Sequence, residues 1–220
     1  MSQRLRTITE HPSAMLLCVQ LICVLGWPFL DHSTAGRATM GVLQMTAVAL
    51  AVYAVRRTPA VSWFVVVLGV PAMVFTLLEA FNPHDDWIVL VSASLHGPFY
   101  LYVSYAMLRY LFHDDIVTRD ELFATAAAFT VVAWAFAYIF AAVQVLWPGS
   151  FDSTSGDAQS WFELLFLSFT TMTNTGLSDI APVQAHARSL VMVEEFVGVF
   201  YIALVIARIV GLTMKPARRN

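Results

Sequence analysis

A chain of 220 residues in which 59% are hydrophobic and only 12% charged falls far below the roughly one-quarter charged residues of a soluble domain. Its apolar residues gather in separate stretches of about 18 to 26, each long enough to cross ~30 Å of hydrocarbon, which excludes a water-soluble globule and predicts a multi-span protein whose surroundings are the lipid bilayer. The net charge of -3 is too slight to point to nucleic acid, and none is expected as a partner.

The first stretch, 13–30, follows Arg4 and Arg6 and ends in Trp27-Pro28-Phe29-Leu30 and Asp31. It lacks a small-residue cleavage site, so it reads as a retained span rather than a signal peptide. Cys18 and Cys23 both lie in it, on different helix faces and without metal-type spacing, and read as packing residues. The next stretches run 38–55, 60–81, 87–112, 122–147 and 188–212. Pro71 and Pro98 are expected to kink the third and fourth, and Glu79 to pack or to meet solvent or His96. The runs His84-Asp85-Asp86 and His113-Asp114-Asp115 read as polar connectors rather than metal sites, so no metal and no cofactor are expected.

Six crossings would put both termini on one side. With a cytoplasmic N-terminus, the inner ends hold ten basic residues (Arg4, Arg6, Arg56, Arg57, Arg109, Arg119, Arg208, Lys215, Arg218 and Arg219) and the outer side two, Arg37 and Arg188. That asymmetry follows the positive-inside rule. The outer connectors are acidic, with Asp85, Asp86, Asp152, Asp157, Glu163 and Asp179, and would attract cations. Trp27, Trp87, Trp147 and Trp161 fall at outer ends, where amphipathic rings favour the headgroup zone.

The connector before the last span contains another hydrophobic helix, 159–172, which makes only about 20 Å of helix, half a membrane. Such a segment must enter and return, and the irregular backbone after it is tolerated only where it is buried in protein or lines a water-filled cavity. That backbone reads Thr173-Asn174-Thr175-Gly176-Leu177-Ser178-Asp179-Ile180-Ala181-Pro182.

Together with Ser168-Phe169-Thr170-Thr171 before it, the stretch resembles the pore of tetrameric potassium channels, whose pattern is Ser-Phe-Thr-Thr-x-Thr-Thr-Val-Gly-Tyr-Gly-Asp-Ile-x-Pro. The likeness covers roughly residues 120 to 212, and the layout of the rest is similar to small six-span bacterial members of that superfamily. The resemblance implies an all-α membrane protein, with six transmembrane helices plus a re-entrant pore helix and filter loop, assembled as a fourfold homotetramer. It also implies a pore domain at 116–220 behind a four-helix, voltage-sensor-like domain at 1–115, no enzymatic activity, and a place in the plasma membrane, the inner membrane of a bacterium.

In such filters, backbone carbonyls and a threonine hydroxyl from four chains replace the water of a dehydrated cation. Carried over, Thr173, Asn174, Thr175, Gly176, Leu177, Ser178 and Asp179 form the filter. Thr173, Gly176 and Asp179 keep the pattern. Asn174 stands where the hydroxyl ligand would be and would form an amide ring, or else is an ordinary backbone-bonding loop residue. Leu177 replaces the bracing tyrosine and Ser178 the second glycine. A left-handed non-glycine residue costs about 1–2 kcal/mol, so another backbone is expected near Ser178. Potassium is the permeant ion the resemblance implies; sodium passage, weak selectivity or a filter closed at rest stay open. Asp179 either rings the mouth or hydrogen-bonds behind the filter.

Glu194 and Glu195 lie inside the last apolar run, where a carboxylate is costly enough to suggest function. Glu194, Gly198, Tyr201, Val205 and Arg208 share one helical stripe, while Glu195 is turned about 100° away. Glu194 is expected to buttress the pore helix through hydroxyl groups; Glu195, facing a cavity, would make gating depend on pH. Gly198 is either a gating glycine or a close helix contact. The fourth stretch holds only Arg109 near its inner end. At about 2.3 kcal/mol per charge per 100 mV, that predicts weak or absent voltage gating. A small-molecule transporter or a membrane accessory subunit stays as the alternative, although a transporter would need repeated broken helices and only one re-entrant element is read here; an enzyme would need a nucleophile or paired metal ligands, and no such arrangement is read on facing spans.

Overall fold

The computed structural model describes residues 12–54, 62–82, 85–112, 119–152 and 158–213. Within them the chain is almost wholly helical. Its helices are α1 (Pro12–Leu30), α2 (Thr34–Ala54), α3 (Ser62–Phe81), α4 (Asp86–Leu111), α5 (Arg119–Leu146), α6 (Trp161–Met172) and α7 (Ala185–Thr213). The short strands β1 (Phe151–Asp152) and β2 (Ala181–Pro182) pair antiparallel. The apolar stretches therefore become helices with ends within a few residues of expectation. Pro71 and Pro98 lie inside α3 and α4, which continue past them.

Among the described residues, four helical stretches are long and apolar enough to cross a membrane, namely Ser13–Leu30, Asp86–Leu111, Asp120–Leu146 and Ala185–Arg208, while Val66–Phe81 and Trp161–Met172 are shorter apolar runs. The chain is a multi-pass membrane protein. Arg4, Arg6, Arg56, Arg57, Lys215, Arg218 and Arg219 lie outside the described residues, as do Asp157, His84 and the His113-Asp114-Asp115 run.

The helices alternate in direction. At one end, called here the Trp27 end, a cleft gathers Trp27 from the end of α1, Arg37 from the start of α2, Ala80 from the end of α3, Asp86 from the start of α4, Gln144 from the end of α5 and Ser160 just before α6. At the other end, Asp120 of α5 accepts hydrogen bonds from Ser13 N (3.1 Å) and Ser13 Oγ (2.8 Å), meeting an amide that has no partner inside the first turn of α1. There Arg208 of α7 lies 3.6 Å from Glu121 of α5 and 5.2 Å from the ring centroid of Phe112.

The core is organised around α5. Residues 130–138 are buried without interruption, because α1, α4, α6 and α7 all pack on this one helix. Alanines at 127, 128, 133, 135 and 137 let these neighbours approach, and Trp134, Tyr138 and Phe140 fill the space between them. Buried Gln20 of α1 donates to the Ala127 carbonyl of α5 (3.2 Å). On the α4 side, His96 stacks on Tyr138 of α5 with centroids 4.3 Å apart. Glu79 and His96 are joined through Ser92 rather than directly: Ser92 Oγ donates to Glu79 Oε2 (2.6 Å), and His96 Nδ1 lies 2.8 Å from the Ser92 carbonyl oxygen. His96 Nε2 meets Thr76 Oγ1 at 3.0 Å.

Candidate functional site

The short helix α6 is defined at both ends by hydrogen bonds its sequence provides. At its start Ser160 and Glu163 form a reciprocal capping box: Glu163 N donates to Ser160 Oγ (3.3 Å) and Ser160 N to Glu163 Oε2 (2.6 Å). One residue earlier, the Gln144 side chain of α5 holds both backbone groups of Gln159, donating to its carbonyl (3.0 Å) and accepting from its amide (2.8 Å). Between these ends, Leu164, Leu165, Leu167, Ser168 and Met172 are buried, and Phe169 faces Phe129 of α5 at 6.4 Å. Ser168 Oγ donates to the Ala133 carbonyl of α5 (2.9 Å). The helix thus lies along α5 from Gln144 down to Ala133, ending beside the middle of its neighbour.

At its C-terminal end, Asn174 N donates to the Thr171 carbonyl (2.9 Å) and Thr175 N to the Thr170 carbonyl (3.0 Å). Asn174 itself has a φ of 55°. These are the bonds and the left-handed residue of a Schellman cap. Asparagine tolerates that conformation better than most side chains, which gives a local reason for its presence. The backbone of Asn174 does the structural work, and its amide side chain makes no hydrogen bond among the described residues. Thr173 Oγ1 bonds back to the Phe169 carbonyl (2.7 Å) and meets Thr175 Oγ1 at 3.0 Å.

Beyond the cap the chain returns towards the Trp27 end. Ile180 is buried, β2 pairs with β1, and Val183 N donates to the Ser150 carbonyl (3.0 Å). Gln184 Nε2 donates to the Pro148 carbonyl (2.9 Å), and Trp147 stacks on His186 at 4.2 Å. Residues 173–179 therefore hang between a capped helix end and a pinned return strand. Thr173, Asn174, Thr175, Gly176, Leu177 and Asp179 are exposed, and Ser178 is half-buried. Among the described residues, no backbone carbonyl from Thr173 to Asp179 accepts a hydrogen bond within the chain.

The positions of the loop behave in different ways. Gly176 has a φ of 63° and open space around its Cα. Ser178 is not left-handed: among the described residues Asn174 alone of the non-glycines has positive φ, and Ser178 Oγ instead accepts from Ile180 N (3.1 Å). Leu177 is 76% exposed. The Asp179 carboxylate accepts no hydrogen bond among the described residues and is not tucked behind the loop.

Behind α6, the stripe on α7 that holds Glu194, Gly198 and Tyr201 is its buried face. Ser168 Oγ hydrogen-bonds Glu194 Oε1 as well as the Ala133 carbonyl, and Glu194 Oε2 has no partner among the described residues. A serine hydroxyl has one proton to give. The Ala133 carbonyl and Glu194 Oε1 therefore share that proton. A Cβ added at Gly198 would come within 2.2 Å of the Met172 carbonyl oxygen and 2.8 Å of its Cα. Gly198 is therefore a close contact between α7 and the end of α6. Tyr201 OH donates to the Thr125 carbonyl of α5, while Glu195, about 100° round α7 from Glu194, is exposed.

Sequence reasoning passed over the capping box, although Ser160-Trp161-Phe162-Glu163 carries its signature. It also passed over the Gln144 clamp, for which no local pattern exists. A family described as "Ion channel" matches residues 123–215, from the first turn of α5 past the end of α7. No curated protein and no solved structure matches the chain. Over that segment, which contains α5, α6, the hanging loop and α7, the chain is similar to that ion-channel family.

Proposed function

We propose that the protein is a monovalent-cation channel in which four copies gather residues 173–179 around a common axis. The carrying observation is the loop itself: successive exposed residues whose carbonyls are unclaimed, hung at the C-terminal end of a half-membrane helix. In lipid, an unsatisfied carbonyl costs several kcal/mol, so these groups need water or ions. The C-terminal end of α6 adds partial negative charge near the loop, and four copies of Asp179 add carboxylates at its outer end. Six crossings by α1–α5 and α7, with α6 and its loop re-entrant, account for the alternating helix directions. Cytoplasmic termini follow from the distribution of basic residues, and a plasma membrane from the channel resemblance.

Residues 116–220 act as the pore domain and 1–115 as a sensor-like domain with little gating charge, since α4 carries only Arg109. Potassium conduction is what the pattern at Thr173, Gly176 and Asp179 supports. A second reading, weak selectivity with sodium passage, is favoured by Leu177 and Ser178, which leave the outer half of the loop unbraced and in a different backbone. Reconstitution into liposomes, with reversal potentials in asymmetric potassium and sodium, tests both. A reversal near the potassium potential supports the first, one near zero the second, and no current with a lateral cavity in a monomer removes the channel reading.

A further inference from the structure

We propose that the cleft of about 540 Å³ at the Trp27 end binds a small organic ammonium ion. Its size lies within the range of small-molecule sites, about 300–1,000 Å³, and its lining is chemically one-sided. Asp31, Glu79, Asp86 and Glu163 bring four carboxylates to it, and Arg37 is the one basic residue among its lining.

That arginine is already engaged with carbonyl oxygens. Nε and Nη2 donate to the Ala80 carbonyl (3.3 and 3.1 Å) and Nη1 to the Asp31 carbonyl (3.1 Å). The carboxylates of Asp31 and Asp86 accept no hydrogen bond among the described residues. Glu79 gives one oxygen to Ser92, and Glu163 one to the Ser160 amide. The cleft therefore holds an excess of negative charge that its own side chains leave unmatched.

The carboxylates are spread over the walls rather than focused, and no group of three or more His, Cys, Asp or Glu among the described residues could hold a metal ion. A cation whose charge is carried on an organic body fits this spacing better than a bare ion. One wall is aromatic: Trp161 lies 5.0 Å from Trp27 and 5.3 Å from Tyr138 between ring centroids. Aromatic faces attract ammonium groups through the ring quadrupole and suit alkylated ammonium ions especially. The occupant would touch the first turn of α6, and so sit against the helix that carries the loop.

Binding to the purified full-length protein, measured by equilibrium dialysis and by tryptophan fluorescence, tests this directly with choline and its uncharged isostere 3,3-dimethylbutan-1-ol as probes. Choline is expected to bind saturably, about one per chain and about tenfold or more tighter than the alcohol. Asp31→Asn and Asp86→Asn should each weaken choline several-fold, whereas Asp179→Asn should not. The Asp31 side chain has no partner to lose, so that variant tests the charge without disturbing the fold. Equal binding of the alcohol, absence of saturable choline binding, or loss of binding with Asp179→Asn but not Asp31→Asn would overturn the proposal. Binding is read without current, so the result stands apart from whether the protein conducts.

Discussion

α5 and α7 are similar in length and nearly equal in mean hydropathy, yet 78% of an eighteen-residue apolar window of α5 is buried within the chain and only 22% of the corresponding window of α7. Hydropathy reports that a helix suits a bilayer; burial reports what the rest of the chain covers. The interior helix, α5, combines small residues that admit neighbours with aromatics that fill between them, on every side. α7 offers one polar and small-residue stripe, Glu194, Gly198 and Tyr201, to its own chain, and leaves Met192, Phe196, Val199 and Phe200 exposed. That face is what lipid or further copies would cover.

The largest expected effect tests the interior helix. Trp134 is fully buried, with Tyr100 and Trp161 at 5.8 and 6.4 Å between centroids. Trp134→Ala should destabilise by about 3–5 kcal/mol through lost packing, read as a fall in the thermal midpoint in detergent. Phe200→Ala, on the exposed face of α7, should cost dispersed chains less than about 1 kcal/mol. Equal losses would break the comparison; a larger Phe200→Ala effect in the assembled protein than in dispersed chains would sharpen it.

Within α7 the contrast can be drawn between adjacent residues. Gly198→Ala places a methyl group against the Met172 backbone, which cannot move aside as a flexible side chain could. Overpacking of this kind costs about 1–3 kcal/mol, and here it displaces the end of α6, so the loss should appear in conduction as well as in the thermal midpoint. Val199→Ala, one residue along and exposed, should leave both within about 0.5 kcal/mol of the parent. Equal behaviour of the two variants would mean that the stripe is not what docks α7.

Much of this architecture was legible in the sequence, because its strongest signals are compositional. The six long helices follow from apolar runs bounded by Pro, Gly and charge. The unusual loop follows from the run Thr173 to Asp179 after a helix too short to cross. Which apolar helix would be interior was not legible, since neighbouring helices cover α5 and leave α7 open without altering the hydropathy of either. Nor was the left-handed backbone at Asn174, whereas the departure at Ser178 was expected from the cost of a left-handed serine. A pattern match assigns ligand positions, whereas the hydrogen bonds available locally decide which residue takes positive φ. Asn174 takes it because the helix end needs a cap, and Ser178 avoids it because its hydroxyl can bond Ile180 N.

Glu194 sharpens the comparison further, because it places a carboxyl group on the covered stripe of α7. Removing it with Glu194→Ala leaves Ser168 with one partner fewer and a void behind α6, a cost of about 1–3 kcal/mol. Glu194→Gln keeps an acceptor for the Ser168 hydroxyl and should retain most of the thermal midpoint. A collapse of Glu194→Gln equal to that of the alanine variant would show that an ionised carboxylate is required there. Glu195→Gln, on the exposed side, should leave the midpoint unchanged. Single-channel currents from that variant identical to the parent at acid and neutral pH would remove Glu195 as a source of pH dependence.

The smallest effect is expected in the segment between α6 and α7, at the residue that turns the chain out of the covered region. At Asn174, with φ of 55°, glycine meets no steric penalty, and the Schellman bonds use only backbone groups. Asn174→Gly should therefore change stability by a few tenths of a kcal/mol at most. Asn174→Val forces a β-branched side chain into the same conformation and should cost about 1–2 kcal/mol. If the asparagine amide also lines the conduction path, Asn174→Gly will shift the reversal potential while leaving the thermal midpoint in place. If its contribution is the cap alone, ion preference will be unchanged in the glycine variant and disturbed only in the valine variant, where the end of α6 itself gives way.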